Sequence, residues 1–364
     1  MSATSFKSLN ARDTQLTRTK LHESIPVTGT ILSGTYSEEN IKNYSHGMFQ
    51  SVYDYPYLSS SANHIIDLTV GWASDSSLSG SSGVDLRNKK NDIYNEMSQM
   101  LAGYDTTGSV NKLDVSGNFG SATAADKMEE VLVFNFARLL TKDEIQKQTS
   151  GFTMTLGVSS SYATPFAKTM DVYDRDGVNA KTNSPAGEFN ILYATSSAGV
   201  DNVPCGLLFY QAGVAVLTSS VFKSDFVEAC EMDGTGELID DLLVSGSISG
   251  SADAIRHRVQ NISFNNTTEL NSTVYFCRAN NSEFNYSSNP TYLSSSQIRV
   301  KEIQSDNPVS YVTTVGLYSE DNALLAVAKL SEPIKKTPAE EYTLRVRLDY
   351  QQGGKNALPP PFWT

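Results

Sequence analysis

Basic segments, histidines and cysteines are scarce in this chain of 364 residues. Its formal net charge is −12, from 28 Lys and Arg against 40 Asp and Glu, and no basic run is longer than two residues. Proteins that bind nucleic acid usually present a basic face. We therefore expect no nucleic-acid partner. The acidity is typical of a protein that stays dispersed until it meets its partner.

The few cysteines and histidines argue against redox and metal chemistry. The chain has three cysteines, Cys205, Cys230 and Cys277, and no two of them form a CxxC pair. An odd number without this spacing indicates neither a disulfide framework nor a structural zinc site. We interpret them as small buried side chains in a reducing compartment. The four histidines contain no HxH or HxxxH pair. We therefore expect no cofactor and no metal.

Long apolar runs are also missing. No run of 18 apolar residues occurs, and the N-terminal segment lacks the apolar core of a secretory signal, so we expect no membrane partner. Six N-x-[ST] triplets lie between Asn261 and Ser287. Without a signal peptide we interpret them as by-products of an Asn/Ser/Thr-rich segment of short strands and turns.

No catalytic motif is evident, since GxSxG, P-loop and dinucleotide fingerprints are absent.

Two acidic stretches resemble calcium loops. The stretch from Glu231 has Leu242 where a bidentate Glu is required, so it reads as an acidic turn. The carboxylates from Asp171 to Asp176 have metal-like spacing, and calcium is the minority interpretation there, beside a simple turn. The sequence predicts a protein that is not an enzyme.

Composition and periodicity predict three parts. Residues 1–60 form an extended N-terminal arm, whose polar first 45 residues either order against a neighbouring chain or stay flexible. Residues 61–240 form a mostly-β domain with a helix over 85–102. Residues 241–364 form a C-terminal β-sandwich-like domain with an aromatic and proline-rich tail. The predicted fold class is mostly β, with antiparallel sandwich-like modules, one long helix and one or two short helices.

Local patterns support these elements. His64–Trp72 reads as a strand, and the apolar residues from Leu86 to Leu101 recur at helical spacing. Ser82 with Asp85 resembles a cap at the start of this helix, and Gly103 suits its C-terminal cap. The capping box Thr141–Glu144 predicts a second, short helix that ends near residue 148.

The segment Tyr342–Tyr350 alternates cleanly between apolar and polar residues, as the outer strand of a sandwich does. Arg345 and Arg347 lie on its polar face. They could bind an acidic partner. No further basic residues surround them in sequence, so we favour a charged face that blunts edge pairing.

Residues 310–330 read as two strands joined by a Glu-Asp-Asn turn, and both arms are apolar at odd and even positions. Both faces of this hairpin are therefore expected to be buried. One cover is the alternating strand and the other is the opposite sheet of the sandwich, with the helix or a neighbouring subunit as the less favoured cover. The prolines before Phe362 and Trp363 exclude a central strand, so these aromatic residues are expected to dock in a groove. The interaction candidates are Val312, Leu317, Leu325, Phe362 and Trp363.

Several stretches resemble a known family: FARLLTKDEI, FNYSSNPTY, IRVKEIQ, YVTTVGLYSEDNALLAVAKLSEPIKK and RVRLDY. They are similar to virion structural proteins of contractile-tailed bacteriophages from marine and cyanobacterial settings. The resemblance is clearest from Phe284 to Tyr350. It implies a virion component without catalytic residues. The implied partners are other virion proteins and copies of the same chain in a multi-copy symmetric assembly.

Within a particle, we expect a tail, baseplate or neck component. A major head protein would show a long spine helix with an extended β arm, whereas the helix over 85–102 is the one long helix predicted here. A head-associated structural protein is an alternative. A receptor- or glycan-binding β-sandwich is another, since Tyr173, Asp174 and Asp176 lie close together in sequence. A hydrolase with an unrecognised site is the weakest hypothesis, because no nucleophile and base pair is evident.

Overall fold

The structure is a computed structural model. It describes residues 7–59, 63–80, 84–119, 126–179, 182–196, 203–222, 246–285, 293–294, 297–298, 308–350 and 362–363. The chain forms two compact units. The first, which we call the terminal unit, combines Met1–Leu21 with Glu269–Thr364, and the second, the central unit, is His22–Thr268.

These units do not follow the predicted boundaries at residues 60 and 240. Two long strands, β2 (Thr14–Thr28) and β14 (Val259–Ala279), contribute residues to each unit. They pair with each other. Backbone pairing with β14 makes β2 regular although most of its side chains are exposed. The extended arm predicted over residues 1–60 is thus found only in part, as the strand β2. Leu32, Ile41 and Val52, which follow β2, are buried in the core of the central unit, so this part of the prediction is wrong.

The central unit is built on a large antiparallel sheet. Its order is β3-β4-β5-β6-β13-β12-β11-β9-β8-β14, and β7 and β10 pair with β14 and β11 respectively. The strands not yet given bounds are β3 (Ile41–Asn43), β4 (Gln50–Tyr53), β5 (His64–Trp72), β6 (Glu130–Phe136), β7 (Glu144–Ile145), β8 (Phe152–Gly157), β9 (Thr169–Asp174), β10 (Thr182–Ser184), β11 (Gly187–Ser196), β12 (Val203–Phe209) and β13 (Val214–Thr218).

The middle of this sheet is buried on both faces. In β6, Leu132 and Phe134 join one apolar core, whereas Val131 and Val133 join another. The same division holds along β12 and β13. A strand with two dry faces needs apolar residues at odd and even positions. The apolar run Val131–Phe134 of β6 satisfies this requirement.

The long helix α2 (Val84–Leu101) packs on β5 and confirms the predicted helix to within one residue at each end. It lies close to Gly71, where a Cβ atom would come within 2.9 Å of the Lys90 carbonyl oxygen. Gly103 follows the helix with φ +73°, as expected for a C-terminal cap. The predicted cap residue Ser82 lies outside the described residues.

Three shorter helices are described, α1 (Gly29–Leu32), α3 (Arg138–Thr141) and α4 (Ile248–Arg256). The predicted helix from Thr141 to about residue 148 is wrong. α3 ends at Thr141, Lys142 takes a positive φ of 53°, and Ile145 pairs in β7 with Asn266. Burial of Ile145 in the sheet outweighs the local capping signal.

Helix α4 begins in a stretch rich in glycine and serine, residue types that do not by themselves indicate a helix. A signal is nevertheless present. The Ser247 side chain accepts a hydrogen bond from the Gly250 N–H, as an N-cap does. Ile248, Ala252 and Ile255 then follow at helical spacing and are buried.

The terminal unit is a small sandwich. One sheet has the order β1-β20-β17-β18, and the opposite layer contains β14 with β19. The bounds are β1 (Lys7–Ser8), β17 (Ser310–Tyr318), β18 (Leu324–Lys336), β19 (Tyr342–Tyr350) and β20 (Phe362–Trp363), and a separate pair joins β15 (Leu293–Ser294) to β16 (Gln297–Ile298). Cys277 and Val346 from one layer meet Val315 and Leu317 from the other in one core.

Within the Asn/Ser/Thr-rich segment, the turns expected up to Ala279 are wrong, because β14 runs through that part as one strand. A turn does follow, closed by a hydrogen bond from the Glu283 N–H to the Asn280 carbonyl oxygen. The polar residues at the centre of β14 need hydrogen-bond partners when they are buried, and Asn266 shows how they find them. Its amide nitrogen donates to the Leu140 carbonyl oxygen at 2.8 Å, and its Oδ1 accepts from the Glu23 N–H at 3.2 Å. The mostly-β, antiparallel fold class is confirmed. Among the described helices, none has the length and apolar character needed to cross a membrane.

Candidate interaction surfaces

The hairpin of β17 and β18 is the strongest candidate surface. Its turn includes Asn322 at φ +60°, a left-handed conformation that asparagine tolerates. The two strands are antiparallel, with Val315 opposite Ala328 and Leu317 opposite Ala326. Directly opposite residues share a face of the sheet. The register therefore defines an inner and an outer face.

The inner face is dry. Val315 is 2% exposed and Leu317 is 1% exposed, and both pack in the core that includes residues of β14 and β19. Along β19, Leu344 and Leu348 pack against this core and Val346 is part of it. The strand is thus apolar inward and polar outward, as its sequence predicts. The opposite layer of the sandwich covers one face of the hairpin, as expected.

The outer face is open, which corrects the expectation that both faces are buried. Leu324, Leu325 and Val327 are 53%, 47% and 53% exposed, and Val312 is half-buried. Among the described residues the sandwich has two layers at this point, and its opposite sheet contacts the inner face. We call Leu324, Leu325 and Val327 the outer hairpin face.

The tail pairs with its own chain. Phe362 and Trp363 lie opposite Tyr318 and Leu317 of β17, and opposite Ser8 and Lys7 of β1. They therefore form a central strand, contrary to the expectation from the preceding prolines. Proline lacks a backbone donor, but Phe362 and Trp363 follow the prolines and keep their own N–H groups.

The carboxylates of the Asp171–Asp176 stretch point to different partners. Asp171 accepts a hydrogen bond from Thr155, and Asp176 pairs with Arg175. Asp174 is buried and accepts hydrogen bonds from the Tyr210 hydroxyl and the Asn190 amide, each at 2.5 Å. Burial raises the pKa of the Asp174 carboxyl. The three groups therefore do not converge as calcium ligands or as a glycan-binding cluster.

The remaining candidates for metal chemistry are placed as follows. In the described parts of the chain, no three His, Cys, Asp or Glu side chains form a group able to hold a metal ion. The acidic stretch Glu231–Leu242 lies outside those parts. Cys205 and Cys277 are buried free thiols, and burial raises the pKa of both.

A second surface, in the central unit, was not anticipated from sequence. Tyr36 and Tyr55 stack with ring centroids 6.1 Å apart and an interplanar angle of 18°. Tyr55 is 52% exposed. The density of tyrosines between residues 36 and 57 is the sequence signal that indicates this pair.

Comparison of the chain with models of protein families, with curated proteins and with solved structures gives no match. The function is therefore inferred from these surfaces and from the sequence.

Proposed function

We propose that this protein is a non-enzymatic bacteriophage virion structural protein that acts in a tail, baseplate or neck assembly through protein–protein contacts. The outer hairpin face is the observation that supports this proposal most. It presents three adjacent branched apolar side chains to water, each about half exposed. Scattered apolar residues on a surface are ordinary, whereas a contiguous patch marks an interaction site.

The position of the patch strengthens this interpretation. The same two strands bury Val315 and Leu317 on their inner face, so the hairpin is held rigid by its own sandwich. A rigid, preformed apolar surface loses little conformational entropy on binding. Since the inner face is already buried within the chain, we infer that a neighbouring subunit contacts the outer hairpin face. The partners are other virion proteins and copies of this chain, and the site of action is the virion.

The test is incorporation into particles. Leu325→Gln with Val327→Gln removes apolar surface from the outer hairpin face, and Leu139→Gln, at a residue 74% exposed in the central unit, is the matched control. Particles purified from cells that supply each variant in place of the wild-type chain are analysed by quantitative electrophoresis. The double variant is expected to be depleted several-fold, and the control to be incorporated normally. Normal incorporation of the double variant would contradict the proposal.

A second candidate, a receptor- or glycan-binding appendage, is favoured by the Tyr36–Tyr55 stack. Exposed aromatic rings offer apolar faces with a polar tip, which suits sugars as well as proteins. Glycan-array binding by the wild-type chain that disappears in Tyr55→Ala would support this candidate. Absence of any glycan signal leaves the assembly role as the better account.

A further inference from the structure

Three arginines line one face of the pair formed by β14 and β19 in the terminal unit. Arg345 lies opposite Phe276, Arg347 lies opposite Val274, and Arg278 lies one diagonal step from Arg345, opposite Thr343. Diagonal neighbours on a sheet face are within reach of long side chains. We call Arg278, Arg345 and Arg347 the arginine stripe.

The stripe points away from the sandwich core. Residues that alternate with it, including Cys277 and Val346, pack inward. Arg278 is exposed and its Nε binds Asp13 Oδ1 at 3.0 Å, while the Arg347 Nε binds Asp349 Oδ1 at 2.6 Å. Arg345 is exposed and has no ion-pair partner within the described residues.

A cavity of about 560 Å³ adjoins Arg278. Arg12, which is exposed and unpaired among the residues the structure describes, lines it together with Lys7 and Asn280. Asp13, the partner of Arg278, also lines this cavity, and Lys7 pairs with Glu283. The charge of Arg12 therefore adds to the stripe on the segment before β2.

Edge protection does not account for this arrangement. Charged residues on an edge strand blunt unwanted pairing, and Arg345 and Arg347 of β19 fit that role. Arg278 belongs to β14, which pairs with β19 and with β2 and is not an edge. Asp13 and Asp349 pair with Arg278 and Arg347, whereas Arg345, the neighbour of both arginines on this face, has no such partner among the described residues. A carboxylate of a second molecule would supply that partner.

The chain itself contains a unit of the opposite charge. The terminal unit has 13 Lys and Arg against 11 Asp and Glu, a net charge of +2, whereas the central unit has 15 against 29, a net charge of −14. We propose that the arginine stripe of one copy binds an acidic surface on the central unit of a second copy. This inference rests on the proposed assembly function. Because two different surfaces meet, the contact is head-to-tail and generates a ring or a filament.

Self-association of the full-length chain tests the contact. Sedimentation velocity is measured at 50, 150 and 500 mM NaCl for the wild type, for Arg345→Gln with Arg347→Gln, and for Lys329→Gln with Lys335→Gln. The control lysines are exposed on β18 and remove the same charge. We expect the arginine variant to associate about two- to thirtyfold more weakly at 50 mM salt and to lose most of its salt dependence. Equal weakening in both variants, or none in either, would overturn the proposal.

Cross-linking identifies the surface that is bound. Arg345→Lys keeps the positive charge and provides an amine that a carbodiimide joins to a nearby carboxylate. Mixing isotopically light and heavy copies distinguishes links between chains from links within one. The expected links join residue 345 of one copy to Asp or Glu of residues 22–268 in another. Links confined to residues 1–21 and 269–364, or no links between copies, would contradict the proposal.

Two further outcomes separate this proposal from others. Salt-dependent binding of duplex DNA that the arginine variant loses, without self-association, would assign the stripe to nucleic acid and overturn the contact between copies. If the arginine variant enters particles normally while the hairpin variant does not, the assembly function stands and the stripe contact fails.

Discussion

Val327 lies directly opposite Gly316 across the hairpin. Because glycine has no side chain, Val327 lacks the directly opposite side-chain partner that stabilises many cross-strand pairs. Its neighbours Leu324 and Leu325 are also about half exposed. The apolar residues of this face therefore contribute little to the stability of the isolated chain, which leaves them available to a neighbour.

Aspartate substitutions on the two faces should have opposite effects. Leu325→Asp changes an exposed side chain, so we expect a folded protein with a free energy of unfolding within about 1 kcal/mol of wild type. Leu317→Asp places a charge in the core, where the residue is 1% exposed, and should unfold the terminal unit. Thermal unfolding monitored by circular dichroism measures both. This reverses the expectation from sequence that residue 325 is in the core. Unfolding by Leu325→Asp would contradict the open outer face.

Lys90 should make the protein more stable as the pH rises from 8 to 10.5. Its side chain is fully buried, with Nζ 4.5 Å from the centre of the Trp72 ring and 3.0 Å from the Gly246 carbonyl oxygen. Burial lowers its pKa from 10.5 to about 8. The unfolded chain then binds a proton in this range that the folded chain does not hold, so stability rises with pH, by up to about 3 kcal/mol.

The variant Lys90→Met keeps the side-chain length and removes the titrating group. Its free energy of unfolding, measured by urea denaturation from pH 7 to 10.5, should lack the part of the rise due to Lys90. The control Lys89→Met, at an exposed neighbour, should retain it. The same slope in all three proteins would show that Lys90 titrates at its ordinary value.

Arg256 joins α4 to two other elements of the central unit. It is 1% exposed and donates to Gln50 Oε1, to the Leu32 carbonyl oxygen and to Asp253 Oδ1 at 2.9–3.1 Å. Arg256→Ala leaves these acceptors without their donor, and we expect a loss of about 3–5 kcal/mol in the free energy of unfolding. Arg138→Ala, at an exposed arginine, should cost less than about 1 kcal/mol. Equal losses in chemical denaturation would refute a special role for Arg256.

The tail should protect the strands on either side of it. Ending the chain at Pro361 removes β20 from between β1 and β17, so the stretch Leu317–Tyr318 loses its backbone hydrogen bonds to β20. Because successive amides of a strand face opposite sides, hydrogen exchange is expected to become at least tenfold faster at the amide that faces β20. Phe362→Ala with Trp363→Ala keeps the backbone and should preserve more of the protection. Unchanged exchange after truncation would indicate a passive tail.

Much of the fold follows from local sequence. β5 coincides with the predicted strand, and α2 follows from its apolar spacing and from Gly103. Local sequence patterns predicted the wrong secondary structure where pairing with residues distant in sequence determines the conformation. Ile145 is in a strand because Asn266 pairs with it, and the polar centre of β14 is extended because β2 and β7 pair there.

The interaction surfaces could be predicted only in part. The apolar residues of the hairpin are visible in sequence, but the single covering layer is a property of the sandwich. The pair Arg345 and Arg347 is also visible, yet Arg278 joins it only through the register of β14 with β19. Surfaces made by residues about 70 positions apart depend on register, which periodicity alone does not specify.

Hydroxyl-radical footprinting of the outer hairpin face tests the central claim most directly. Oxidation of Leu324, Leu325 and Val327 is measured by mass spectrometry in the free chain and in purified particles, with exposed Leu139 as the internal reference. The account predicts ready oxidation of the three residues in the free chain and protection of at least fivefold in the particle, relative to Leu139. Equal oxidation of the three residues in both states would show that no neighbour covers this face and would contradict the account.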